Sequence, residues 1–280
     1  AGANVNTPLK DGRTPVYQAA HKGHAAAITV LKSAGAEVNA QSRHGCTPVF
    51  IAAQDGHTEA INALKAAGAA VDIPTDDGRT PVYVAAENGH ATAILALKSA
   101  GANVDTPDKE GNAPVLTAAY HGHVEAITAL KAAGAEINAR NTIGATPVFM
   151  AVEKGHIAAL KALIETRANV NIPMKDGTTP IMIAAFLENL GAITVLNDAG
   201  ANVDTLDKDG ATPVFIASKK GHEQAITALV IAGANVDIPR KDGATPLLIA
   251  AHNGHAVAVG VLLEAGANAS IKTSWGTALE

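Results

Sequence analysis

Nine glycines recur at intervals of 33 residues: Gly12, Gly45, Gly78, Gly111, Gly144, Gly177, Gly210, Gly243 and Gly276. Eight of them are followed three residues later by a proline, at Pro15, Pro48, Pro81, Pro114, Pro147, Pro180, Pro213 and Pro246. A period held that strictly, with no insertion, restricts the chain to one structural unit stacked on copies of itself. What the copies share builds the stack, so function must lie in what differs between them. The period predicts one array with full copies at 9–41, 42–74, 75–107, 108–140, 141–173, 174–206, 207–239 and 240–272, between partial copies at 1–8 and 273–280. The chain opens inside a copy, at Ala1-Gly2-Ala3, and closes at Gly276-Thr277-Ala278 as another begins, which reads as a piece of a longer array.

Composition fits a core that grows with copy number instead of closing on itself. Apolar residues make up 48% of the 280, but aromatics only 3%, so the interior must be built from Ala, Leu, Ile and Val in closely spaced thin helices. The net charge is −5, with Lys and Asp interspersed and no basic stripe, which argues against nucleic acid as a partner. No run of 18 uncharged apolar residues occurs, so no membrane span is expected. Cys46 is the sole cysteine and has no partner for an internal disulfide, which points to a reducing, cytoplasmic compartment, or to delivery into the cytosol of another cell.

The first full copy shows how the unit is made. Asp11-Gly12 marks a turn, with glycine free to take positive φ. Thr14-Pro15 then opens a helix, Thr as its cap and Pro at the first helical position, where a missing N–H costs nothing. That helix runs through Val16 to about His21 and is halted by Gly23. A second helix starts near His24, carries Ala27, Ile28 and Leu31 on one face, and ends at Gly35, a left-handed C-terminal cap. An extended stretch, 36–41, leads to the next turn. The Ala27 position is Ala in every full copy through Ala258, and the Leu31 position is Leu through Leu262. Small against large at a fixed register lets helices approach and interlock.

Thr14-Pro15-Val16-Tyr17-Gln18-Ala19-Ala20, then Gly23-His24 and Gly35-Ala36, resembles the ankyrin repeat, and the resemblance runs through residues 1–280. It implies an all-α solenoid with short β-hairpin loops, helix–turn–helix units stacked in a curved array. In that family the first helices line a concave groove, and groove and hairpin tips bind other proteins without a shared catalytic residue. Departures from the pattern are informative. Where the family has His after Thr-Pro-Leu, this chain has Tyr17, Phe50, Tyr83, Leu116, Phe149, Met182, Phe215 and Leu248, five of its eight aromatics. Such a row is either a buried ladder between copies, the bland reading, or an exposed ridge. The second Leu of helix two becomes Lys32, Lys65, Lys98 and Lys131, a row expected to snorkel along the convex back, and then Ile164, Asn197, Val230 and Leu263.

Nothing in the pattern converges on catalysis. Seven of the 11 histidines share one register: His24, His57, His90, His123, His156, His222 and His255. Copies about 10 Å apart cannot bring those rings within the ~2 Å of one ion that zinc requires, so they are expected to bond the backbone at the helix–helix turn. Cys46 and His44 lie at a water-facing hairpin tip with no third residue to orient the histidine. Every glycine has a turn or cap role and none forms a phosphate cradle. No enzyme activity, cofactor or metal is expected. Asn39-Ala40 and Asn138-Ala139 resemble hairpin asparagines that asparaginyl hydroxylases modify in some ankyrin proteins, although Asn also simply suits a hairpin.

The partner surface should sit where copies break rank. Two solvent-facing residues close helix one in each copy, from His21-Lys22 to His252-Asn253, and only Phe186-Leu187 has no polar member. The same copy replaces Gly-His by Glu188-Asn189, and the copy before it has Arg167 in place of a capping Gly and an uncharged tip, Thr142-Ile143. Exposed apolar groups rimmed by polar ones mark contacts. The candidate patch is Tyr120, Ile143, Glu153, Phe186 and Leu187, flanked by Lys219 and Lys220. Two placements are open for Phe186 and Leu187: on that surface, or tucked into a copy that has lost its Gly-His turn. The chain is read as a monomeric, non-catalytic protein-binding scaffold. Its rivals are a targeting or substrate-recruiting arm of a larger enzyme or host-directed effector, and a mechanical spacer.

Overall fold

The computed structural model describes residues 4–271, so the partial copy expected at 273–280, with Gly276, lies outside it, as do residues 1–3. The described residues form sixteen helices and no strand. Contacts divide the chain into two compact units, 1–142 and 143–280.

In the first unit the odd-numbered helices are α1 (Pro15–His21), α3 (Pro48–Gln54), α5 (Pro81–Glu87) and α7 (Pro114–His121). Each leads into an even-numbered one: α2 (Ala25–Ser33), α4 (Thr58–Ala66), α6 (Ala91–Ser99) and α8 (Val124–Ala132). The second unit repeats the scheme. Its odd-numbered helices are α9 (Pro147–Glu153), α11 (Pro180–Phe186), α13 (Pro213–Lys220) and α15 (Pro246–His252). Its even-numbered ones are α10 (Ile157–Glu165), α12 (Leu190–Asp198), α14 (Glu223–Ile231) and α16 (Ala256–Glu264). Within each unit the odd helices pack on one another in sequence, and so do the even ones.

Local chemistry sets these boundaries. Thr14 is extended and its hydroxyl accepts from the Tyr17 N–H at 3.3 Å, with Pro15 at the first helical position. Thr47, Thr80, Thr146, Thr212 and Thr245 cap in the same way, satisfying a donor that the helix leaves unpaired. Packing follows the small–large register. Ala60 and Leu64 of α4 and Ala192 and Leu196 of α12 are wholly buried. Ala27 and Leu31 of α2 are only half-buried, because no described helix pair precedes α1 and α2 to cover them. The row from Tyr17 to Leu248 is buried at every copy, which makes it an interior ladder instead of a ridge. Lys32, Lys65, Lys98 and Lys131 are exposed.

The shared histidine reaches farther than a local turn bond. His57 Nε2 donates to the His21 carbonyl at 3.2 Å, and His123 Nε2 to that of Glu87 at 3.0 Å. In the second unit His222 and His255 donate to the carbonyls of Phe186 and Lys219 at 3.1 and 3.2 Å. Each ring therefore ties its copy to the end of helix one in the copy before. The turn glycine is shaped by the same ring: a Cβ on Gly23, at φ +71°, would lie 2.8 Å from His57 Nδ1.

The loops are tight turns with too few backbone bonds to make a strand. Ser42 N–H donates to the Cys46 carbonyl at 2.9 Å, and Arg43 N–H crosses to Asp11 of the preceding tip at 2.9 Å. A side-chain ladder carries the rest. Asn39 Oδ1 accepts from the Ala70 N–H at 2.9 Å, and Asn6, Asp72, Asp105, Asn171, Asp204 and Asp237 likewise accept from the backbone 31 residues on. Asn39 thus has a structural task that accounts for it.

Candidate protein-docking surface

Phe186 is the last residue of α11 and Leu187 its C-terminal cap. Their backbone is fixed from both sides. His222 holds the Phe186 carbonyl, and Glu188 turns the chain at φ +54°. Glu188 takes the place of the glycine, and its Oε2 lies 3.2 Å from His222 Nδ1, so the ring that a Cβ would otherwise crowd is engaged by the side chain. Asn189, replacing His, accepts from the Ala192 N–H at 3.0 Å and caps α12. The turn therefore survives without Gly-His, and no interior space opens to receive the two apolar side chains. Phe186 is 41% and Leu187 44% exposed.

Phe186 borders a groove of about 410 Å³ between α11 and α13. Its floor is Met182, Ile183, Phe215 and Ile216, with Lys219 and Lys220 beside the ring and Asp207, Asp209 and Arg240 at the tip end. Lys220 Nζ lies 4.3 Å from the Phe186 ring centre, a cation–π contact of about 0.5–1 kcal/mol at an exposed site. Arg240 stands 5.2 Å over the Phe215 ring, and its Nε donates to Asp242 Oδ1 at 3.0 Å. That bond holds the Asp242 carboxyl down at about 2.

Of the residues proposed from sequence, the groove brings together Phe186, Lys219 and Lys220. Leu187 adjoins it in sequence but does not line it. Glu153, exposed at the end of α9, pairs with Lys154 at 3.5 Å, and Ile143 is 52% exposed in the loop before α9. Tyr120 belongs to the first unit, where its ring meets His121 edge-on at 5.0 Å. Sequence reasoning missed Ile183, Ile216, Asp207 and Asp209. The signal was available: Ile183 and Ile216 sit three residues before Phe186 and Lys219, on the same helix face.

The other reactive side chains are structural. Cys46 is half-buried, and burial pushes its thiol up and away from the thiolate a nucleophile needs. His44 is exposed beside it, and Cys46 Sγ lies 3.9 Å from the His44 carbonyl. Burial pushes Tyr17 up to about 12. Tyr83 is raised as well, by burial and by donating to Asp108 at 2.8 Å. Among the described residues no cluster of three or more His, Cys, Asp or Glu is placed to hold a metal ion, and no helix is long and apolar enough to cross a membrane.

A family profile for ankyrin repeats matches residues 1–75, 50–141, 130–207 and 188–273. The chain belongs to the ankyrin repeat family. Among solved structures, the crystal structure of the human ASB11 ankyrin repeat domain is similar, at 27% identity and a TM-score of 0.69, over 80% of this chain and 99% of that one. No curated protein matches. Ankyrin repeats are in general protein–protein interaction modules.

Proposed function

We propose that this ankyrin chain is a non-catalytic scaffold, one array of eight full copies, that seats a partner protein on groove and hairpin tips through Tyr120, Ile143, Glu153, Phe186, Leu187, Lys219 and Lys220. The observation that carries the reading is the exposure of Phe186 and Leu187, at a register where every other copy has a polar group. Aromatic anchors in an apolar, cation-rimmed groove are the usual centre of a contact. The surface is held in place before any partner arrives, so little ordering entropy is lost on binding.

Affinity capture with the wild-type chain beside a Phe186→Ala, Leu187→Ala double variant tests it. A protein retained by the first and lost by the second, with the helical circular-dichroism signal unchanged, is the expected result. Equal retention by both removes the patch, and indifference to substitutions over the whole surface favours a mechanical spacer.

A further inference from the structure

We propose that the groove of the second unit takes an extended segment of a partner protein in which an apolar side chain is followed, two residues later, by a carboxylate. The inference rests on the scaffold reading above and specifies its ligand. It starts from charge. Lys219 and Lys220 are exposed, and neither has an acidic group within ion-pair distance among the described residues. Lys220 rests on the Phe186 ring, and the Lys219 carbonyl is taken by His255 and by Asn253 at 2.9 Å, which fixes the backbone and leaves both ammonium groups to solvent.

The acidic groups lie at the other end. Asp207 accepts from the N–H groups of Asp209 and Ala211 at 2.9 and 2.8 Å, and both carboxylates lie in the field of Arg240. The positive charge of the groove is therefore concentrated at the Lys219–Lys220 end, beside an apolar floor, and its carboxylates stand apart at the tip end.

Spacing then sets the ligand pattern. Ile216 and Lys220 are one helical turn apart on α13, about 6 Å along its axis. In an extended chain, side chains two residues apart point the same way and are about 6.6 Å apart. An apolar side chain lodged against Ile183, Phe186 and Ile216 thus carries the side chain two places on to the lysine pair. A helical ligand would need the acid four places after the apolar side chain instead of two, so the two ligand forms predict different sequence patterns.

The test is selection of a displayed library of random eight-residue peptides on the full chain and, separately, on a Lys219→Glu, Lys220→Glu variant with an unchanged helical signal. The wild type should enrich apolar-x-Asp/Glu and the variant apolar-x-Lys/Arg. A wild-type-selected peptide should bind the variant roughly tenfold more weakly or worse, from two exposed attractions turned into repulsions. Enriched peptides without an acid at that place, or indifferent to charge reversal, overturn the proposal. Binding of phosphatidylserine-containing vesicles that needs the lysines, with no peptide enriched, overturns it in favour of a lipid surface. Each of those failures leaves the scaffold reading to its own test, Phe186- and Leu187-dependent capture.

Discussion

Glycine precedes histidine at every helix–helix turn of the first unit, from Gly23-His24 to Gly122-His123; in the second unit the same place reads Gly155-His156, Glu188-Asn189, Gly221-His222 and Gly254-His255. The two units also differ at the cap after the even helices, where Arg167 replaces glycine at φ +67°. The comparison separates two kinds of glycine that the repeat pattern treats alike. After the even helices, a Cβ on Gly35, Gly68 or Gly200 meets nothing within 4 Å, so Arg167 costs only its left-handed torsion, about 1–2 kcal/mol. At the turn, a Cβ on Gly221 would stand 2.7 Å from the His255 ring, so a side chain is admitted only if it engages that ring. Glu188 does so through His222. The second unit thus gives up regularity at two places without losing a turn, and the apolar pair it exposes stands immediately before one of them.

The largest effect should be the one that does not distinguish the units. Leu97→Ala in α6 and Leu196→Ala in α12 each empty a wholly buried site, and each should cost about 2–5 kcal/mol in denaturant unfolding. A loss confined to one unit breaks the view that both are built on the same seam. Next come the glycines. Gly56→Ala combines φ +73° with a contact 2.7 Å from His90, whereas Gly68→Ala has φ +84° and open space. The first should cost about 2–3 kcal/mol and the second about 1 kcal/mol. Glu188→Gly relieves the torsion and should raise stability by up to about 1 kcal/mol, less whatever the His222 pair contributed. Equal costs at Gly56 and Gly68 break the distinction between the two kinds of glycine.

The helices and their caps were legible because Thr-Pro and the fixed Ala and Leu positions each have one physical use, repeated copy after copy. The exposure of Phe186 was half legible. Sequence showed that an apolar pair stood at a polar register, but whether the broken turn would swallow it depended on Glu188 finding His222 in the next copy. That is a contact 34 residues away, which local patterns do not encode. The histidine bond was expected to the backbone at a helix–helix turn, but not its span of 36 residues, which arises because the end of helix one in the preceding copy presents a carbonyl there. Groove residues such as Asp207 stayed hidden for the same reason, since tips and helices meet only once the copies stack.

The smallest effect concerns the hairpin tips, where both units clip an arginine to an aspartate two residues away. In the first unit Arg79 Nε donates to Asp77 at 2.7 Å; in the second the order is reversed and Arg240 donates to Asp242. The Asp77 carboxyl is lowered although burial opposes it, because hydrogen bonds from Thr75 and Arg79 outweigh that cost. Asp242 falls from 3.8 to about 2, chiefly through Arg240. A depressed folded-state pKa means that the clip contributes fully above the unfolded value near 3.8 and is lost as pH falls through about 2. Asp242→Asn should therefore lower stability slightly at neutral pH, since solvent screens so exposed a pair, and that deficit should shrink as pH falls between those values. Unfolding midpoints of wild type and variant, compared from pH 6 down to pH 2, check it. A gap between them that stays constant over that range means that the tip is held by its backbone bonds, Arg240 N–H to Ala244 among them, and that the reversed clip adds nothing.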